Sequence, residues 1–317
     1  MTDYGHDLLF GSFITPRMQP ASHAIDRTIA SEHAGLDLAT FQDHPYQGSF
    51  LDTSTLLAYA ASQTDRIHLA ANVASLPLRP PLEIARAAAT LDVLSKGRFG
   101  LGIGAGAFWD GIARMGGRRL TPGQGVDALR EAISLIRDAW SDADGTLTRE
   151  GTYYPVAGER RGPRPFHPVP VWVGAYKPRM LALTGAHADG WLPTIEYVEG
   201  GMAGLDAANA RIDESAARAG RSPGDVRRLL NFMRVGMSPT GHGLLQGSPR
   251  DWTEQLTELA LDHGISAFLI GGDDPMLIER FGQDVAPAVR EAVSRERAGL
   301  GERNESSADS RRPLVGS

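Results

Sequence analysis

Short apolar runs alternate with amphipathic stretches along most of the chain. The runs are LLFGSFI (8 to 14), DLATFQD (37 to 43), IHLAANV (67 to 73), RFGLGIGAG (98 to 106), PVWVGA (170 to 175), ADGWLP (188 to 193), RLLNFMRVG (228 to 236) and AFLIGG (267 to 272). Each is short, apolar and often bounded by Gly or Pro, which predicts strands of a sheet buried on both faces. Between the runs the period lengthens. Over 124 to 140, Val126, Leu129, Ile133, Ile136 and Trp140 recur at three- and four-residue spacing, one apolar stripe that predicts a helix lying on that sheet. Residues 81 to 94 repeat the pattern with Ile84, Ala87, Leu91 and Leu94, behind Pro80 and Pro81, which suit a helix start, and before Ser95-Lys96-Gly97, which suits an end. Eight such β/α units in 317 residues predict an α/β fold of the (β/α)8 TIM-barrel type rather than an open doubly wound sheet.

Two stretches fall outside the repeat. Residues 141 to 168 are rich in Gly, Pro and charge and predict an insertion that packs near the barrel mouth or carries a hairpin at Thr152-Tyr153-Tyr154. From Leu300 onward the chain has too little apolar surface to offset ordering entropy, so a mobile tail is expected after a single domain spanning 1 to 299.

Composition narrows the function. A formal charge of −6 without a dense Lys/Arg stripe argues against a general nucleic-acid surface. No run of 18 apolar residues occurs and no signal-peptide pattern opens the chain, so a soluble cytoplasmic protein without membrane partners is expected. The absence of cysteine excludes disulfides, thiolate catalysis and Cys-ligated metals. Neither HxH nor HExxH occurs, and His187 with Asp189 is a poor substitute on another segment, so no metal site is expected.

The candidate chemistry collects at the ends of the runs. The second ends in Gln42-Asp43-His44-Pro45-Tyr46, on the face where barrel enzymes build active sites from loops, and a histidine there can exchange a proton near neutral pH. The plainer alternative makes Asp43 a turn cap and His44 a satisfied loop residue. The fourth run ends in Gly102-Ile103-Gly104-Ala105-Gly106-Ala107, which matches a dinucleotide fingerprint formally, but three β/α units precede it where the fingerprint belongs to the first. Small residues there instead let a flat ligand approach the backbone, or simply make a turn. After the fifth run, Gly174-Ala175-Tyr176-Lys177-Pro178-Arg179 leads into a helix with Pro178 as its first residue. Lys177 and Arg179 oppose the positive end of that helix dipole unless an anion, most naturally a phosphate, lies between them.

Four blocks together, GLDLATFQDHPY (35 to 46), LDVLSKGRFGLGIGAGAF (91 to 108), PVPVWVGAYKPRMLALTGAHADGWLP (168 to 193) and GSPRDWTEQLTELALDHGISAFLIGG (247 to 272), resemble the bacterial luciferase-like superfamily of flavin- or deazaflavin-dependent TIM-barrel oxidoreductases. The resemblance runs from about Leu9 to Ala288. It implies an isoalloxazine or deazaflavin ring across the C-terminal mouth, with coenzyme F420 favoured over FMN by the Asp-His pair followed by proline and an aromatic. It also implies a non-prolyl cis bond between Asn72 and Val73 behind the ring. Asp43 would contact the ring, His44 would face its reacting edge, Gly104 and Gly106 would leave room beside it, and the Gly174 to Lys177 segment would hold the ribityl phosphate. Asp110 falls where some deazaflavin relatives carry a polar ring contact. Relatives are often homodimers through barrel helices, and a separate flavin reductase is a conceivable partner. Sugar-phosphate dehydrogenases of the superfamily place a glutamate where this chain has Ala107, so that activity does not carry over. Phe108 and Trp109 make the neighbouring wall aromatic instead, which suits an apolar or planar substrate.

The expected function is therefore a luciferase-like oxidoreductase, a monooxygenase or a reductase/dehydrogenase, acting on a small organic molecule with His44 as proton donor or acceptor. A flavin-binding carrier or sensor without turnover is the alternative. A phosphate-sugar isomerase or hydrolase rests on the fold alone.

Overall fold

The structure, a computed structural model, describes the backbone of residues 2–309 and side chains up to residue 299. Its strands are β1 (Leu9–Ile14), β2 (Leu38–Phe41), β3 (His68–Ala71), β4 (Ala74–Ser75), β5 (Phe99–Gly104), β6 (Thr146–Arg149), β7 (Val156–Arg160), β8 (Val171–Val173), β9 (Gly190–Trp191), β10 (Arg227–Phe232) and β11 (Ala267–Gly271). All eight predicted runs contain a strand. Parallel pairings lead from β1 through β2, β3, β5, β8, β9, β10 and β11 back to β1, which closes the barrel. β4 continues the third barrel strand beyond Asn72 and Val73 and pairs with the upper end of β5. The Asn72–Val73 peptide bond is cis, as the resemblance implied.

The helices are α1 (His23–His33), α2 (Thr53–Ser62), α3 (Pro81–Leu94), α4 (Trp109–Arg114), α5 (Pro122–Trp140), α6 (Pro178–His187), α7 (Met202–Arg218), α8 (Pro249–Leu261), α9 (Pro275–Arg280) and α10 (Ala286–Asp309). Proline opens α3, α5, α6, α8 and α9, where its fixed φ is already helical and its missing N–H costs no hydrogen bond. Thr121 with Gln124 and Ser248 with Asp251 form capping boxes that fix the starts of α5 and α8. Outward strand residues such as Phe10, Phe41, Ile103, Val171, Phe232 and Phe268 join the helices in the main core, while Phe13, Leu38, Ala70, Trp172, Leu229 and Leu269 fill the barrel itself. Alternate strand residues thus serve two cores, which is why the runs carry so little polar alternation.

Arg228 is the exception on the outer layer. It is fully buried, and its guanidinium bonds Asn209, Asp213 and the Val226 carbonyl and lies over the Tyr4 ring. The insertion does carry a hairpin, β6 with β7, whose tip contains Thr152, Tyr153 and Tyr154. It does not pack at the mouth. The Glu131 carboxylate, midway along α5, accepts from the backbone N–H groups of those three residues, and Arg149 reaches Asp138 and Ser134 on the same helix. Carboxylates of α5 thus take the insertion's backbone N–H groups and its Arg149 and fasten it to the outside of that helix. The mobile tail expected from Leu300 falls on positions whose side chains, and from residue 310 whose backbone, lie outside the described residues. Among the described residues no helix is long and apolar enough to cross a membrane.

Candidate active site

The ends of β2, β3, β5 and β8 meet at the C-terminal mouth, and the third strand forms its floor. Val73 turns into the barrel and is surrounded by glycines. A Cβ at Gly104 would sit 2.8 Å from a Val73 methyl, one at Gly102 3.2 Å and one at Gly174 3.4 Å. Gly104 therefore does not hold open space for a ligand, as the resemblance implied, but gives the Val73 side chain its socket. Gly106 has φ +93° and faces Pro77 and Ile112, so it too serves the chain's own packing. Ala105 faces α5, where a Cβ at Gly125 would lie 3.6 Å from its methyl. Beside Val73, the amides of Asn72 and Asn231 bond each other reciprocally at 2.7 and 3.1 Å, and they reach Thr40 and Thr194 at 3.2 and 3.3 Å. This satisfied polar layer caps the apolar filling of the barrel. Asn231 was missed in the sequence, although a lone polar residue inside the run RLLNF was its signal.

Asp43 and His44, expected to act together, are divided by the structure. Asp43 is buried, and one carboxylate oxygen accepts from the Ser75 N–H at 2.8 Å and from the Arg79 guanidinium at 2.5 Å. Arg79 then reaches Asp52, the cap of α2, at 2.6 Å. Asp43 thus pins the turn after β4 to β2, closer to the plainer reading of a structural carboxylate than to a ring contact. Arg79 lay in a proline-stiffened loop with no local signal of this role.

His44 is half buried among aromatic rings. Its centroid lies 5.5 Å from Tyr46, 6.5 Å from Phe50 and 5.3 Å from Phe108, the last edge to face. Burial pushes its pKa below the ordinary imidazole value, and the Asp43 charge opposes that shift without cancelling it. Nδ1 is 2.6 Å from the Tyr46 hydroxyl, which burial first and then Asp43 push up to about 12, so the phenol keeps its proton. That hydroxyl serves either way. When it donates to Nδ1, Nε2 carries the imidazole proton; when it accepts from Nδ1–H, Nε2 is a bare base.

The other predicted residues are distributed around this centre. Ala175 is buried, its carbonyl accepting from the Trp191 indole, and the Tyr176 hydroxyl accepts from the Thr194 N–H. Lys177 and Arg179 are exposed beside the start of α6, which has no side-chain cap. Each is matched with a carboxylate, Lys177 with Glu199 at 3.1 Å and Arg179 with Asp127 at 3.5 Å, rather than left unpaired. Exposed pairs of this kind hold their cations weakly. Asp110 is not brought into the site: it is exposed on α4 and pairs with Arg119.

A cavity of about 290 Å³ lies at the opposite end of the barrel, between the strand starts, lined by His6, Asp37, His68, Phe99, Trp172 and Arg227. That face of a barrel carries stability rather than chemistry, and Asp37 is already committed to the Phe10 N–H and Arg290. His6 and His68 there, with His44 and His187 elsewhere, do predict a pH effect. Burial holds His6, His68, His44 and His187 below the ordinary imidazole value. Each therefore binds more proton in the unfolded chain, so stability is full above about pH 6.5 and falls as pH drops from there toward the lowered folded values. Denaturant melts between pH 8 and 5 should show this loss, and stability that rises toward pH 5 would contradict it.

Comparison with known proteins follows the same geometry. The sequence model of the family described as luciferase-like monooxygenase matches residues 8–236. An F420-dependent glucose-6-phosphate dehydrogenase of Beutenbergia cavernae is 31% identical over 84% of this chain and 76% of its own. The pyrimidine monooxygenase RutA of Methylobacterium radiotolerans is 33% identical over 55% of this chain and 48% of its own. An F420-dependent secondary alcohol dehydrogenase, solved with an F420-acetone adduct, superposes with a TM-score of 0.78 at 18% identity, covering 90% of this chain and 99% of that one.

Proposed function

The chain belongs to the luciferase-like monooxygenase family, and from that premise we propose that it is an oxidoreductase that binds coenzyme F420, in preference to FMN, across the C-terminal mouth and reduces or oxidises a small organic substrate there. The observation that carries this reading is His44: an imidazole held neutral by burial, oriented by the Tyr46 hydroxyl, at the end of a barrel strand beside the Val73 floor. The names of the similar proteins support F420, since dehydrogenases that use it stand beside a monooxygenase among them.

The residues present fit such a cofactor. Val73 offers a half-buried apolar surface in the middle of the mouth for a flat ring system, with the Asn72–Asn231 layer satisfied beneath it and making no demand on a ligand. The Gly174 to Arg179 segment offers a phosphate the uncapped start of α6 and two exposed cations. The bound cofactor supplies hydride transfer, or oxygen activation in the FMN case. The chain supplies the proton. His44 gives or takes it at Nε2, while Tyr46 fixes the opposite nitrogen and the rings of Phe50 and Phe108 limit water. Asp43 and Arg79 hold the turn that carries Val73's strand onward, so they act on the site by position.

The phosphate assignment has a direct test. Lys177→Glu with Arg179→Glu should weaken F420 binding by at least about ten-fold at low salt and reverse its salt dependence, because the local charge then repels the anion. Equal affinity in wild type and double variant would remove the assignment. The reaction itself is tested by mixing protein loaded with reduced F420 anaerobically with candidate carbonyl or alkene substrates and following cofactor absorbance. Oxidation no faster than that of free cofactor across that panel, and likewise in separate runs with oxygen admitted or with reduced FMN as the cofactor, would leave a carrier as the better reading.

A further inference from the structure

We infer that the site takes a planar, apolar substrate, seated against Phe108, rather than a phosphorylated sugar; this rests on the reading of the His44 mouth as the active site and names its substrate class. Phe108 is 58% exposed although it is aromatic, and it stands at the start of α4, directly over the imidazole. His44 and Tyr46 cover one side of it, with Tyr46 5.9 Å away, and the remaining side is left to solvent. Phe50 closes the far side of His44. The wall around the His44 imidazole is thus three aromatic rings, and its one hydroxyl, on Tyr46, bonds Nδ1.

A sugar needs a partner for nearly every hydroxyl, because each one desolvated without a hydrogen bond costs affinity. This wall offers only the Tyr46 hydroxyl and His44 Nε2, too few for the hydroxyls of a sugar. A phosphate needs an available cation, and Arg79, which pairs with the residue next to His44, is held by both Asp43 and Asp52. Ala107, exposed next to Phe108, adds a methyl and no hydrogen-bonding group. An aromatic or otherwise flat apolar molecule meets none of these penalties and buries the open side of Phe108. A ring pair of this sort is worth about two- to ten-fold in affinity beyond the area it covers.

The test is calorimetric titration of the wild-type chain, with and without F420, using 2-naphthol as a planar apolar probe and glucose 6-phosphate as the polar one. We expect 2-naphthol to bind, glucose 6-phosphate not to, and Phe108→Ala to weaken 2-naphthol by about three- to ten-fold while Phe108→Tyr restores it. Phe108 is exposed enough that neither variant threatens the fold, which circular dichroism of the same samples verifies. Binding of glucose 6-phosphate in preference, no binding of 2-naphthol, or equal affinity for it in Phe108→Ala would overturn the inference. If F420 binds and 2-naphthol does not, only the substrate class fails. If 2-naphthol binds at Phe108 but neither F420 nor FMN does, the aromatic pocket stands and the cofactor reading fails.

Discussion

Replacement of His44 by glutamine will slow turnover by about 100- to 10,000-fold while leaving cofactor affinity within a few-fold, because the imidazole is a titratable group at the mouth able to change protonation near neutral pH and a general acid or base contributes on that order. Glutamine keeps the polarity and most of the volume but cannot exchange a proton. The wild-type rate should be flat above about pH 7 and fall only as pH drops through the lowered pKa of His44, where Nε2 is blocked by protonation if it acts as the base. Tyr46→Phe should give a smaller loss, since it frees Nδ1 without removing the ring. Single-turnover kinetics from pH 5 to 9 on any identified substrate separate these outcomes. A His44→Gln enzyme with the wild-type rate across that range would make His44 a wall residue.

Asp43→Ala will act mainly on stability. The carboxylate is 4% exposed and holds both the Ser75 N–H and the Arg79 guanidinium, so its removal leaves a partly buried cation and a buried donor without their partner. Losses from breaking such pairs run to about 3 kcal/mol or more, and because Arg79 retains Asp52 the expected cost is about 2–4 kcal/mol. Urea unfolding measures it. In the Asp43→Ala/Arg79→Met double variant the two losses should not add, since both break one interaction. An Asp43→Ala protein as stable as wild type, with cofactor binding abolished, would return Asp43 to the role of a ligand contact.

The contrast between these neighbours shows what the chain made legible. Strands and helices were readable because their signal is local: α3 and α5 follow from the apolar spacing between Pro81 and Leu94 and before Trp140, and each strand from an uninterrupted apolar run. The floor at Asn72 and Val73 and the position of His44 followed from resemblance. What was not legible depends on barrel closure. Asp43 finds Arg79 36 positions away and Asn72 finds Asn231 159 away, and no periodicity in either segment records such a partner. The glycines after the fourth run looked like room for a ligand, but only the fold shows that Val73 and Pro77 already occupy it. Lys177 looked unpaired because Glu199 lies on the next loop. Local pattern and resemblance together pointed to the barrel mouth, and tertiary pairing separates the residues engaged by the fold, such as Asp43, from those left at its surface.

The central claim is that this mouth binds a deazaflavin. Its most direct test is a parallel titration of the wild-type chain with oxidised and reduced F420 and FMN, followed by cofactor fluorescence and equilibrium dialysis. The account predicts one F420 site per chain, tighter than the FMN site, with binding that weakens as salt is raised. Saturable binding of neither cofactor by a chain that circular dichroism shows to be folded would contradict it.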